Sequence, residues 1–175
     1  MIADNLSVYW PLEESNGGRV DVVQGIILGS TNNVGQATGK VGMCAQFNAA
    51  SSRFLTTLAD DSAYSLGDVD CTWMCWVYFD DKFKSTNGQR FFSKDDNSAN
   101  REYLVGYETG ADKFTVIVWS SGSGGGFKQL YATTFGSPSN STWYCIFAWH
   151  DSVANTLNIS VNNGATDSKI GRAHV

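Results

Sequence analysis

The residues able to carry acid–base or nucleophilic chemistry are few, and their spacing restricts what each can do. Hydrolysis of a glycosidic bond needs two carboxyls flanking it, about 5 Å apart when configuration is retained. The chain has only four glutamates, Glu13, Glu14, Glu102 and Glu108. Glu13 and Glu14 are adjacent, so on a strand they point to opposite faces. Glu102 and Glu108 flank "YLVGY" with even spacing and share a face, but the rise of a strand separates them by about 20 Å. Neither pair can flank one bond. Of the two histidines, His174 lies in the final residues and His150 follows Trp149 at a strand end. No motif brings a nucleophile to either. His150 therefore reads as a structural histidine held by Asp151 or by a backbone group.

The four cysteines, Cys44, Cys71, Cys75 and Cys145, form no CxxC pair, and none has a neighbouring His, so they carry no zinc signature. Cys71 and Cys75 share a face of the strand in "DCTWMCWVYF", about 13 Å apart and too far to bond each other. All four lie among large apolar residues and are expected to be buried free thiols that pack as small hydrophobes. A Cys44–Cys145 or Cys71–Cys145 bridge stays open. The glycine run 122–126 lacks the Lys and following helix of a phosphate-binding loop. Sugar binding needs an exposed aromatic platform rimmed by amides and carboxylates, and Trp119, at the end of "KFTVIVW", and Tyr131, in "QLYATT", are the candidates. Tyr103 and Tyr107 share a face with Val105 and are expected in the core.

These residues must be positioned by strands. Apolar residues make up 42% of 175, charged residues 17%, and the chain has 18 glycines, two prolines and six tryptophans. That balance suits one β-sandwich domain, with aromatics between the sheets and glycines at the corners. Period-two alternation recurs in "LSVYWPL", "KVGMCAQFN", "SRFLTTL", residues 70–79, "QRFFSKDD", "REYLVGYE", "KFTVIVWS", "FKQLYATTF", "STWYCIFAWHD" and "NTLNISVNN". Residues 60–66 hold at most one helical turn. In "WYCIFAWHD" both faces are apolar, which marks a central strand. Asp21 with Gly25 predicts a turn in which the carboxylate accepts backbone N–H bonds, and Asn162-Asn163-Gly164 predicts a hairpin turn. A net charge of −5 without a basic cluster argues against nucleic acid, and no apolar run is long enough for membrane insertion as a helix.

"VYWPLEESNGGRVDVVQG", "GKVGMCAQFNAASSRFL", "DCTWMCWVYFD" and "STWYCIFAWHDSVANTLNISVNNG" follow one another as in laminin-G-like jelly-roll domains of the concanavalin A-like lectin/glucanase superfamily, which the chain resembles from about Leu6 to Gly164. The resemblance implies an all-β, antiparallel two-sheet β-sandwich (jelly roll). It also implies a noncatalytic module of a larger extracellular or cell-surface protein that recognises carbohydrate or a protein surface and sits beside other modules of a longer chain. The endoglucanase branch carries a Glu-x-Asp-x-x-Glu strand that this sequence lacks. A structural or adhesion spacer of a cell-surface or phage-tail protein, without a small ligand, is the second reading, and a glycoside hydrolase or lyase of the same fold the third. Relatives of this kind often hold Ca²⁺ at a sandwich edge through loop oxygens; Asp95, Asp96 and Asn97 are the candidate ligands here.

The ends carry expectations of their own. "MIADNLSVYWPLEES" has no secretory signal, so either the domain is cytoplasmic or Met1 is an internal start. "SKIGRAHV" has no turn logic and no partner strand to follow. "IGRAHV", residues 170–175, is the translation of part of a widely used sequencing adapter. The domain is accordingly expected to span 1–169 and to be incomplete at its C-terminus, with 170–175 not native and the whole a fragment of an environmental gene.

Overall fold

The structure is a computed structural model, and it describes residues 5–57, 64–95, 101–119 and 126–170. Among the described residues every strand pairing is antiparallel and no α-helix forms, so none is long and apolar enough to cross a membrane. The chain is all-β, as the alternation predicts. Its elements fall into two compact units, residues 1–62 and 63–175.

In the first unit, β1 (Arg19–Val20), β2 (Ile27–Thr31), β3 (Gly35–Thr38), β4 (Met43–Gln46) and β5 (Phe54–Thr56) make a three-stranded sheet, β1-β2-β5, and a β3-β4 hairpin. The Asp21 turn forms as expected. Its carboxylate accepts from the backbone N–H groups of Tyr9 (2.6 Å), Val23 (3.1 Å) and Gln24 (2.7 Å), and Gly25 adopts the φ of 76° that closes the loop. Burial alone would raise the Asp21 carboxyl, yet these donors hold it below the usual range. The same turn explains why residues 6–12 are not the strand their alternation suggests. Their bonds go to the turn rather than to a ladder: besides Tyr9 N–H, the carbonyl of Tyr9 accepts from Val22 (2.9 Å) and the Trp10 indole donates to Ile26 (3.3 Å). Pro11 has no N–H to offer a neighbour, and Leu12 takes a left-handed φ of 62°.

In the second unit, β6 (Cys71–Tyr78), β7 (Gln89–Lys94), β8 (Tyr103–Glu108), β9 (Lys113–Trp119), β10 (Phe127–Tyr131), β11 (Trp143–Asp151), β12 (Thr156–Val161) and β13 (Asp167–Ile170) form two four-stranded sheets, β7-β8-β9-β10 and β6-β11-β12-β13. They pack face to face as a β-sandwich. Val105, Tyr107, Phe114 and Val116 from one sheet meet Tyr144, Ile146, Ala148, Leu157, Ile159 and Val161 from the other, with Phe79 between. Phe114 lies 5.3 Å, ring to ring, from Tyr144 and 5.9 Å from Phe79. Burying each such side chain contributes about 1.5–3 kcal/mol.

Strand β11 is central, bonded to β6 and β12, with Tyr144, Cys145, Ile146, Ala148 and His150 all buried. Strand β13 corrects an expectation. Asp167–Ile170 does have a partner, pairing with β12 from Ile159↔Asp167 to Thr156↔Ile170. What permits it is the tight turn at Val161–Gly164, where Asn162 and Asn163 take left-handed φ values of 54° and 56° and Gly164 N–H bonds to the Val161 carbonyl at 3.0 Å.

Candidate functional site

Alternation sends Val105, Tyr107, Phe114 and Val116 into the core, so Leu104, Gly106 and Glu108 of β8 and Thr115, Ile117 and Trp119 of β9 face the other way. On that outward face lies a groove of about 160 Å³, lined among others by Gln89, Arg90, Asp95, Arg101, Thr115 and Trp119. Cross-strand register brings β10 to the same face: Phe127 is opposite Trp119, Gln129 opposite Ile117 and Tyr131 opposite Thr115.

An irregularity in β7 places the groove's cationic wall. Arg90 pairs with Gly106 and Phe92 with Val105, so Phe91 is a bulged residue, and both Phe91 and Phe92 pack against the core. Arg90 is left pointing outward. The bulge draws the β7 backbone so close that a Cβ on Gly106 would lie 2.4 Å from the Gln89 carbonyl oxygen, so this position requires glycine. Arg90 Nη1 then reaches Asp95 Oδ2 at 3.1 Å, and Arg101 Nε lies 3.1 Å from Asp95 Oδ1. The Asp95 side chain is 2% exposed, whereas that of Arg90 is 55% exposed. The Arg101 guanidinium also sits 5.7 Å from the Trp119 ring, and Trp119 meets Phe127 at 6.4 Å. On the same face Tyr131 lies near Glu108; burial first, and the Glu108 charge second, push its hydroxyl up. Thr115, opposite Tyr131, is buried, donating to the Leu130 carbonyl (3.0 Å) and accepting from the Gln129 amide (3.2 Å).

The two aromatics proposed from sequence, Trp119 and Tyr131, thus share one face, four strand residues apart or about 13 Å. Asp95 is on the same surface, between two guanidinium groups. Asp96 and Asn97, proposed with it as calcium ligands, lie outside the described residues, as does His174. Among the described residues no group of three or more His, Cys, Asp or Glu is placed to hold a metal ion. Sequence reasoning missed Arg90, Arg101, Gln129 and Phe127. Phe127 had a readable signal, since it and Trp119 flank the glycine run as hairpin partners. The arginines had none, because the bulge and the β7–β8 register bring them together.

Several other chemically capable residues are tied into the framework. Glu102 accepts from Ser65 Oγ (2.8 Å), the Leu66 N–H (3.1 Å) and Lys94 Nζ (2.7 Å). Glu14 accepts from Val20 N–H at 2.8 Å and lies 3.7 Å from Arg19. His150 Nδ1 is 3.0 Å from the Val69 carbonyl, a backbone partner as expected, while its Nε2 faces Asp68 at 3.8 Å rather than Asp151. Asp151 instead accepts from the Ala154 N–H. All four cysteines are free, and burial pushes the Cys71 thiol up to about 11 and Cys75 to about 12, far from a reactive thiolate. Lys82, 8% exposed, gives its three protons to Asp112 Oδ1 (2.6 Å), Ser137 Oγ (2.7 Å) and the Pro138 carbonyl (2.7 Å). It is a charge held by structure, with no lone pair to act as a base.

No protein-family model matches the chain, and neither does any curated protein or solved structure.

Proposed function

We propose that the chain is a noncatalytic, laminin-G-like jelly-roll module of a larger extracellular or cell-surface protein, and that it recognises carbohydrate on the outward face of the β7-β8-β9-β10 sheet. The observation that carries this reading is a polar groove lined by Trp119 beside Arg101, on a face that also carries Tyr131 near Glu108. Sugar rings stack their C–H faces on aromatics and bond their hydroxyls to amides and charged groups, and here Gln89, Asn87, Arg90 and Glu108 rim the space. The carboxylates support a binding role over a catalytic one, since Glu14 and Glu102 are committed to framework bonds. With Asp95 likewise engaged by two guanidinium groups, the proposed binding does not call on a bridging cation.

A glycan array probed with the wild-type chain and with Trp119→Ala, each with and without chelator, tests this. The expected result is a set of bound glycans indifferent to chelator and lost, about tenfold or more, in the variant. An array silent under every condition would overturn the reading in favour of the spacer. A signal that survives Trp119→Ala would move the site elsewhere.

A further inference from the structure

Three Asn-x-Ser/Thr triplets occur in the chain: Asn5-Leu6-Ser7, Asn140-Ser141-Thr142 and Asn158-Ile159-Ser160. Such a triplet can carry an N-linked glycan only where the asparagine Nδ2 is accessible and the folded chain leaves room for a sugar. The fold separates the two triplets of the sandwich unit. Asn158 lies in β12 at 6% exposure, and its Nδ2 donates to the carbonyl and the Oγ1 of Thr156 at 3.3 and 3.0 Å. A sugar on that nitrogen would displace these acceptors and have to be buried. Asn140 is the opposite case. It is exposed, in the loop before β11, and its Oδ1 accepts from the Lys82 N–H at 2.9 Å, while among the described residues its Nδ2 has no acceptor. The loop that presents it is held on both sides. The Tyr144 hydroxyl accepts from the Ser139 N–H at 2.6 Å and donates to the Ser139 carbonyl at 3.2 Å, and the Ser141 N–H donates to the Phe79 carbonyl at 2.7 Å. The Thr142 hydroxyl, third in the triplet, donates to the Asn140 carbonyl at 3.2 Å. Glycosylation takes a proton from Nδ2 and leaves Oδ1 an acceptor, so the bond from Lys82 survives it.

We infer that Asn140 is an N-glycosylation site and that Asn158, with the same triplet signature, is not. This rests on the extracellular reading proposed for the chain, not on the groove. The donor class is a polyprenyl-diphosphate-linked oligosaccharide. Nδ2 bonds to C1 of the first sugar, the C1–O bond to the diphosphate breaks, the diphosphate leaves with that electron pair, and Nδ2 gives one proton to the transferase. Asn140 stands at the Lys82–Asp112 end of the sandwich, where β9 begins, whereas Trp119 closes the same strand at its other end. A glycan there leaves the Trp119 end of the outward face open. Asn5 is exposed too, in the first unit, so occupancy has to be mapped peptide by peptide rather than by total mass.

The test is expression of the full chain behind a secretion leader in a eukaryotic cell, release of N-glycans by peptide N-glycosidase in ¹⁸O water, and peptide mapping of the isotope label left at each former glycan site. Urea unfolding of the secreted protein reports whether it is folded. Expected is label at Asn140 and none at Asn158. Thr142→Ser should keep the label, whereas Thr142→Ala and Asn140→Gln should lose it. Because Thr142→Ala keeps the Asn140 bond to Lys82, its loss of label reads the triplet rather than the fold. A secreted, folded chain that is unlabelled at Asn140, or labelled at Asn158, overturns the inference while the extracellular reading stands. A chain that misfolds in the secretory lumen but folds when made in the cytosol overturns the extracellular reading and the inference with it.

Discussion

Two ion-pair clusters in the sandwich unit use the same chemistry to opposite ends. Around Lys82, the ammonium is 8% exposed and all three of its protons are spent, on Asp112, Ser137 and the Pro138 carbonyl, while the Tyr107 hydroxyl donates to Asp112 at 2.6 Å. Around Asp95 the burial is inverted: the carboxylate is sealed and the Arg90 guanidinium projects into a groove. A charge whose hydrogen-bonding capacity is exhausted inside the protein can only hold parts together, here the segment after β6, the start of β9 and the loop before β11. A charge fixed from below with donors left over can hold something else. Counting ion pairs would treat the two alike; counting the donors left over separates them.

The sharpest way to break this contrast is to remove the cation from each cluster. Lys82→Ala leaves Asp112, Ser137 and Pro138 without their common donor. It should destabilise the chain by about 2–3 kcal/mol in urea unfolding, toward the low end for a broken buried pair because Asp112 keeps 35% of its side chain exposed. Arg90→Gln, in the exposed cluster, should cost less than about 1 kcal/mol. Equal losses would mean that the Arg90 cluster is a structural staple as well.

Acid should distinguish the clusters next. Burial alone would raise the Asp112 carboxyl, but the bonds from Lys82, Ser137 and Tyr107 outweigh it and hold the group at about 2, below its ordinary 3.8. The unfolded chain therefore takes up the proton first as pH falls. The stability from this group is complete above about pH 4 and is lost as pH drops through about 2. Unfolding midpoints at pH 5, 3 and 2 should decline along that window, with the decline reduced in Asp112→Asn. An unchanged slope in that variant would place the acid sensitivity elsewhere.

Much of the framework was legible because burial on one face writes itself as alternation. The strands through residues 71–78, 103–108, 113–119 and 143–151 follow from it, as do the Asp21 turn and the left-handed Asn162-Asn163 pair. Alternation failed where backbone bonding is decided by something other than burial. Residues 6–12 alternate but are claimed by the Asp21 turn, whereas β3, "GQAT", pairs with β4 with almost no apolar signal. On the outward face, Trp119 and Tyr131 could be picked out as aromatics, the first at a strand end. Arg90 and Arg101 could not, because their meeting at Asp95 depends on one bulged residue and on glycine at 106, which are facts of register rather than of composition.

The smallest effects are the most informative for the groove itself, and backbone amide shifts read them residue by residue. Titrating ¹⁵N-labelled chain with a glycan bound on the array should move the resonances of Arg90, Arg101, Thr115, Ile117, Trp119 and Gln129 together, leaving those around Lys82 and Asp112 unchanged. Shifts confined to β6 and β11, or no shifts with any saccharide, would contradict the assignment of the β7-β8-β9-β10 face as the binding surface.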